Sequence, residues 1–74
     1  MKVHDVMADR YRANTRKLRE KRGLSQAALA KIMGVSDQYF QQLETGGRNP
    51  SRNMIEKTAN ALGVDPSALM KGTR

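Results

Sequence analysis

The sequence predicts an all-α chain, a compact bundle of five short helices. Three observations carry this prediction. Glycine punctuates the 74 residues at Gly23, Gly34, Gly46–Gly47, Gly63 and Gly72, with no alternating strand pattern between them. Ser25, Ser36, Ser51 and Asp65 each precede a helix-forming stretch, where a short polar side chain caps free N–H groups. Apolar residues recur at helical i, i+3, i+4 and i+7 spacing.

The first helix is expected over residues 8–22, capped by Asp5 or Asp9, with Tyr11, Thr15 and Leu18 on its inner face. The second, over 25–33, turns Leu29, Ile32 and Met33 inward, and the third, over 36–44, turns Phe40 and Leu43 inward. The fourth, over 51–62, contributes Ile55, Ala59 and Leu62. Pro66 opens the last, over 66–70, at the one helical position where its missing N–H does no harm, and Leu69 closes the core. The methionines read as core filler. Links of two or three residues force consecutive helices to cross sharply and pack as one unit. The expected domain is residues 10–70, preceded by a partly flexible extension over 1–9 and followed by a tail over 71–74 that can begin a linker.

Composition excludes several function classes. With no Cys there is no disulfide framework and no thiolate metal site, and the single His4 cannot form a zinc cluster. No metal or cofactor is expected, and His4 reads as a solvated end residue. The acids are scattered and no Gly-rich phosphate loop precedes a helix, so no catalytic residues and no enzyme are expected. No apolar run spans a bilayer, no secretory pattern opens the chain, and the apolar face of the first helix is too modest for a membrane anchor. No small-molecule ligand is evident. Fourteen Lys and Arg stand against seven Asp and Glu, a net charge of +7, which points to a polyanionic partner. The excess sits in Arg10, Arg12, Arg16, Lys17, Arg19, Lys21 and Arg22, and again beyond Gly47. The segment between is nearly neutral.

That segment, QAALAKIMGVSDQYFQQLET from Gln26 to Thr45, carries the functional signal. Ala30 permits close approach of two short helices, Gly34 relieves the turn, and Leu29, Met33, Val35, Phe40 and Leu43 point inward. Ser36, Asp37, Gln38, Gln41 and Gln42 are left facing out. This is the grammar of a helix-turn-helix.

On LREKRGLSQAALAKIMGVS, QLETGGRNPS and ALGVDPSAL, in that order and spacing, the chain resembles the Cro/C1-type (XRE-like) helix-turn-helix domain of phage repressors and restriction–modification controller proteins. The resemblance implies a lambda-repressor-like DNA-binding fold whose third helix enters the major groove. It implies a cytoplasmic, bacterial or phage-encoded transcriptional regulator of double-stranded DNA. Such proteins bind as homodimers to inverted repeats, with helix 4, Val64–Leu69 and the N-terminal extension as the expected dimer surface and Met54, Val64 and Met70 as its candidate apolar residues. An antitoxin or other protein-interaction module built on the same domain is the alternative.

The resemblance also implies site roles. Gln38 and Gln42, four apart on one face, become the main base readers, each able to pair bidentately with adenine; the alternative is solvated polar surface. Asp37 either accepts from cytosine or caps the helix and contacts no DNA. Gln41 joins the base-facing set or, with Tyr39, reaches the sugar–phosphate wall; Tyr39 can instead cover the core edge. Ser36 is an N-cap first and a phosphate contact second. Gln26, at the start of helix 2, is the phosphate clamp, with Arg48, Asn49 and Arg52 on the opposite flank. Arg10, Arg12 and Arg16 supply longer-range attraction. Arg19 and Glu44 match family positions that form a partly buried, structural ion pair. Thr15 and Thr58 stand where the family carries larger aliphatics, which predicts a less stable core.

Overall fold

Helices separated by glycine turns account for most of the described residues. The computed structural model describes residues 3–72, with side chains from Val6 onward. The elements are α1 (Val3–Lys21), α2 (Gln26–Met33), α3 (Asp37–Thr45), α4 (Arg52–Leu62) and a closing 3-10 turn (Pro66–Leu69). The described residues are thus all-helical, but the five expected α-helices are four plus one 3-10 turn. Asp65 caps that turn and Met70 ends it, leaving four residues between them. They close with i to i+3 bonds, Ala68 N–H to the Asp65 carbonyl at 2.9 Å and Met70 N–H to the Ser67 carbonyl at 3.1 Å. The Asp65 carboxylate also accepts from Ser67 N–H at 3.0 Å, which holds its pKa below the usual carboxylate value.

The caps act where local chemistry puts them. Ser25, Ser36 and Ser51 accept from Ala28, Tyr39 and Met54 N–H at 3.0–3.1 Å. Gly34, at φ +78°, makes the left-handed turn between α2 and α3 and lets Val35 N–H reach the Ala30 carbonyl at 3.0 Å. The start of α1 differs from expectation. It begins at Val3, so Asp5 and Asp9 lie within the helix instead of capping it. No breaker interrupts residues 3–8, and Ala8 is buried one turn before Tyr11, extending the inner stripe. His4 is in this helical stretch, with its side chain outside the described ones, and Thr73 and Arg74 of the tail also lie outside the described residues.

The core gathers Tyr11, Leu29, Ala30, Met33, Phe40, Leu43, Met54, Ala59, Leu62 and Leu69. Ile32 departs from expectation, while Met54 takes the core-filling place expected of the methionines instead of one on the dimer surface. Ile32 is 56% exposed, because α2 turns Leu29, Ala30 and Met33 inward and Ile32 falls off that stripe. Met54 is buried and belongs to the core, on the α4 face of Met54, Thr58, Ala59 and Leu62. Leu18 and Ile55 pack half-buried at the margin, as do Val64 and Met70.

Two threonines sit inside this core, fully buried. Thr58 shares a hydrogen bond with the Tyr11 hydroxyl at 2.8 Å and donates to the Met54 carbonyl at 2.8 Å, with Met33 Sδ at 3.8 Å. The Thr15 hydroxyl has no hydrogen-bond partner. Burial raises the Tyr11 pKa above its ordinary value, and the bond to Thr58, with a smaller contribution from the nearby Thr15 hydroxyl, works against that rise.

Candidate nucleic-acid interface

The surface of α3 is polar because its apolar residues have gone to the core. Phe40 and Leu43 are buried, while Ser36, Asp37, Gln38 and Gln41 are exposed and Tyr39 and Gln42 are half-buried. Ser36 is the N-cap of α3, and its hydroxyl is occupied by Tyr39 N–H. Asp37 opens the helix, where a carboxylate complements the positive end of the helix dipole. Gln38, Gln42, Tyr39, Ser36 and Arg48 line a shallow hollow of about 280 Å³.

The far end of α3 is shaped by Gly46 and Gly47. Gly46 takes φ +107°, and both Gly46 N–H (3.0 Å) and Arg48 N–H (3.2 Å) donate to the Gln42 carbonyl. The chain thereby doubles back, and a Cβ at Gly47 would lie 3.5 Å from the Gln42 side chain. Arg48 Nε donates to Gln42 Oε1 at 3.2 Å, and its guanidinium sits 5.2 Å from the centre of the Tyr39 ring.

Behind this surface lies an ion pair. Arg19 meets the Glu44 carboxylate with two parallel bonds, Nε to Oε2 at 2.9 Å and Nη2 to Oε1 at 2.8 Å. Its Nη1 donates to the Leu24 carbonyl at 2.9 Å. Their side chains are 10% and 3% exposed, so the pair is shielded from water. The hydrogen-bonded carboxylate raises the guanidinium pKa further.

The network continues outward. Gln26 Nε2 donates to Glu44 Oε1 at 2.8 Å, and Gln41 Nε2 approaches Gln26 Oε1 at 3.4 Å. The structure therefore joins Arg19, Glu44, Gln26 and Gln41 across three helices, a linkage the sequence did not disclose. Gln26 stands at the first position of α2, among backbone N–H groups that have no intrahelical acceptor.

Arg12 also departs from expectation. It is not a free surface cation. Its Nε donates to the Leu43 carbonyl at 3.2 Å, Nη1 to Asp9 at 3.2 Å and Nη2 to Asn49 Oδ1 at 2.9 Å. Arg12 and Arg19 are seven apart on α1, hence on one face, and that spacing was the available signal. Asn49 is thus held through its carbonyl oxygen, leaving its amide N–H groups to donate outward. Arg16 is exposed and meets Glu20 at 3.3 Å, and Arg52 lies 3.9 Å from Glu56. Among the described residues no group of three or more His, Asp or Glu is placed to hold a metal ion. Among the described residues no helix is long and apolar enough to cross a membrane.

Comparison with known proteins bears on this geometry. Residues 16–69 match the family described as Helix-turn-helix, HTH_3. The chain is 38% identical over 61 residues to the HTH-type transcriptional regulator y4dJ of Sinorhizobium fredii, covering 82% of this chain and 79% of that protein. It is 43% identical over 54 residues to the HTH-type transcriptional regulator Rv0023 of Mycobacterium tuberculosis, covering 73% of this chain but only 21% of the relative. The chain thus spans about a fifth of that longer protein's length. Among solved structures it superposes on the restriction–modification controller protein C.AhdI of Aeromonas hydrophila with a TM-score of 0.77 and 37% identity, covering 88% of this chain and 96% of that one. With its two short helices crossing at Gly34 and its polar third helix outward, the chain belongs to the helix-turn-helix family of XRE (Cro/C1) type.

Proposed function

We propose that this chain is a sequence-specific regulator that lays α3 in the major groove of double-stranded DNA and binds an inverted-repeat operator as a homodimer. The observation that carries the reading is the single polar face of Asp37, Gln38, Gln41 and Gln42, presented on a short helix capped at both ends and braced from behind by Arg19 and Glu44. Gln38 and Gln42 read base edges, with Gln41 beside them and Asp37 at the helix start. Gln26 and the open N–H groups of α2 hold a phosphate on one flank. Tyr39, Arg48, Asn49 and Arg52 line the other, with Ser36 at the cap, and exposed Arg10 and Arg16 add attraction at longer range. Residues 10–70 form the DNA-binding unit.

A dimer follows from size, since one such domain covers only half an operator. A mostly apolar groove of about 700 Å³, lined by Met7, Ala8, Ile55, Pro66 and Met70 and edged by Arg52, Glu56 and Ser67, lies on the surface formed by α1, α4 and the 3-10 turn. It supports that face as the contact between copies.

The test is selection of bound duplexes from a random pool, with affinity measured against salt. The expected result is a palindromic consensus whose affinity exceeds that for random DNA by ~10³-fold or more. Binding that follows salt alone, with no consensus, would reject this reading in favour of an architectural or protein-binding role.

A further inference from the structure

We propose that Arg48 sets base preference by fixing the Gln42 side-chain amide as a donor, so that this position favours guanine over adenine. The inference rests on the reading that Gln42 faces a base pair. Arg48 is tied to Gln42 twice, by its backbone N–H to the Gln42 carbonyl and by Nε to Oε1, both at 3.2 Å. Gly47 packs on the Gln42 stem, and the Tyr39 ring carries the guanidinium at 5.2 Å. A guanidinium has donors only, so the amide atom that faces it is the carbonyl oxygen. The Gln42 Nε2 group, with two donor hydrogens, is then the free end. Adenine offers N7 as acceptor and N6 as donor, and its bidentate pairing with Gln needs the carbonyl oxygen, one of whose two lone pairs already accepts from Arg48, which weakens it as an acceptor for N6. Guanine offers two acceptors, N7 and O6, which suit a donor-only edge. Because the arrangement exists before DNA arrives, little side-chain freedom is lost on binding.

Arg48 is therefore a positioning residue, in addition to whatever phosphate attraction its charge provides. A Lys at this position keeps the charge but lacks the planar fork that donates from Nε while lying on Tyr39.

The experiment measures the affinity of wild type, Arg48→Lys, Gln42→Ala and the double variant. The probes are the duplex selected by the wild type and versions carrying each alternative base pair in turn. Wild type is expected to prefer guanine at one pair per half-site, a preference that Gln42→Ala removes. Arg48→Lys should shift that pair toward adenine by on the order of tenfold, leaving the other positions and the salt slope nearly unchanged. In the Gln42→Ala background the same change should add nothing. A guanine preference that survives Arg48→Lys, a wild-type preference for adenine at the Gln42-dependent pair, or an equal Arg48→Lys effect without Gln42 would each overturn the inference and leave the DNA-reading function standing. A wild type with no base preference would overturn both.

Discussion

Thr15 and Thr58 share one buried core and differ in a single respect. The Thr58 hydroxyl is bonded to Tyr11 and to the Met54 carbonyl, whereas the Thr15 hydroxyl is buried without a partner. A buried polar group left unpaired costs about 1–3 kcal/mol by mutational measures, and a paired one close to nothing. The two positions therefore respond oppositely to the same isosteric change. Thr15→Val should stabilise the fold by about 1 kcal/mol, raising the melting temperature by roughly 4–8 °C, because it removes a hydroxyl without a bond of its own while the Tyr11 hydroxyl keeps its bond to Thr58. Thr58→Val should lower it, since the Tyr11 hydroxyl would lose its buried partner. Thermal unfolding followed by circular dichroism checks both; a fall in Thr15→Val would show that its hydroxyl is satisfied after all. The sequence marked both threonines as polar core positions. It could not separate them, because the distinguishing bond joins residues 47 apart in the chain.

At the scale of elements, α1 is fastened to α3 by two arginines one heptad apart. Arg12 bonds the Leu43 carbonyl, and Arg19 pairs with the adjacent Glu44. A shielded pair of this kind adds little net stability over an apolar contact, but removing one partner leaves a charge stranded, which costs about 3–5 kcal/mol. An exposed i, i+4 pair such as Arg16–Glu20 contributes at most about 0.5 kcal/mol. Arg19→Ala should therefore depress the melting temperature by far more than Arg16→Ala, although both remove one positive charge from the same helix. Equal effects would sink the structural assignment. The pair was legible through family resemblance. Its extension through Gln26 to Gln41 was not, because neither glutamine carries a sequence signal that names its partner. That extension gives the ion pair a second role, since it orients the side chain at the start of α2.

For the whole molecule, dimensions and charge placement matter together. The described residues extend 31 × 22 × 19 Å, with a radius of gyration of 11.1 Å. Their longest extent is thus shorter than a DNA helical turn of roughly 34 Å, as the proposed placement of two copies on half-sites one turn apart requires. α3 carries Asp37 and Glu44 and no cation, while the positive excess lies on α1 and beyond Gly47. On the proposed function, attraction to phosphate and reading of bases fall to different elements. If the groove beside Met7 and Met70 is the contact between copies, Met7→Asp should weaken self-association without unfolding the chain, because Met7 is already 44% exposed. Sedimentation across a concentration series should show the dimer dissociating at lower concentration for wild type than for this variant. Identical association curves would place the contact elsewhere.

The ends of α2, α3 and α4, the turn at Gly34 and most of the core were determined by the sequence alone, and for one reason. A serine cap, a left-handed glycine and an i, i+4 stripe all act within a few residues of where they are written. The resemblance to the helix-turn-helix family drew on the same local features. Only the tertiary structure decided that Ile32 faces outward and Met54 inward, that Arg12 clamps α3, and that Arg48 folds over Tyr39 onto Gln42. Each depends on which helix packs against which side of its neighbour, and on where a long side chain finds an acceptor across a turn or across the fold. Apolar spacing names a stripe, but packing chooses which edge of that stripe is covered. The number of cations is likewise written in the sequence, whereas their division among attraction, scaffold and positioning is a property of the assembled fold.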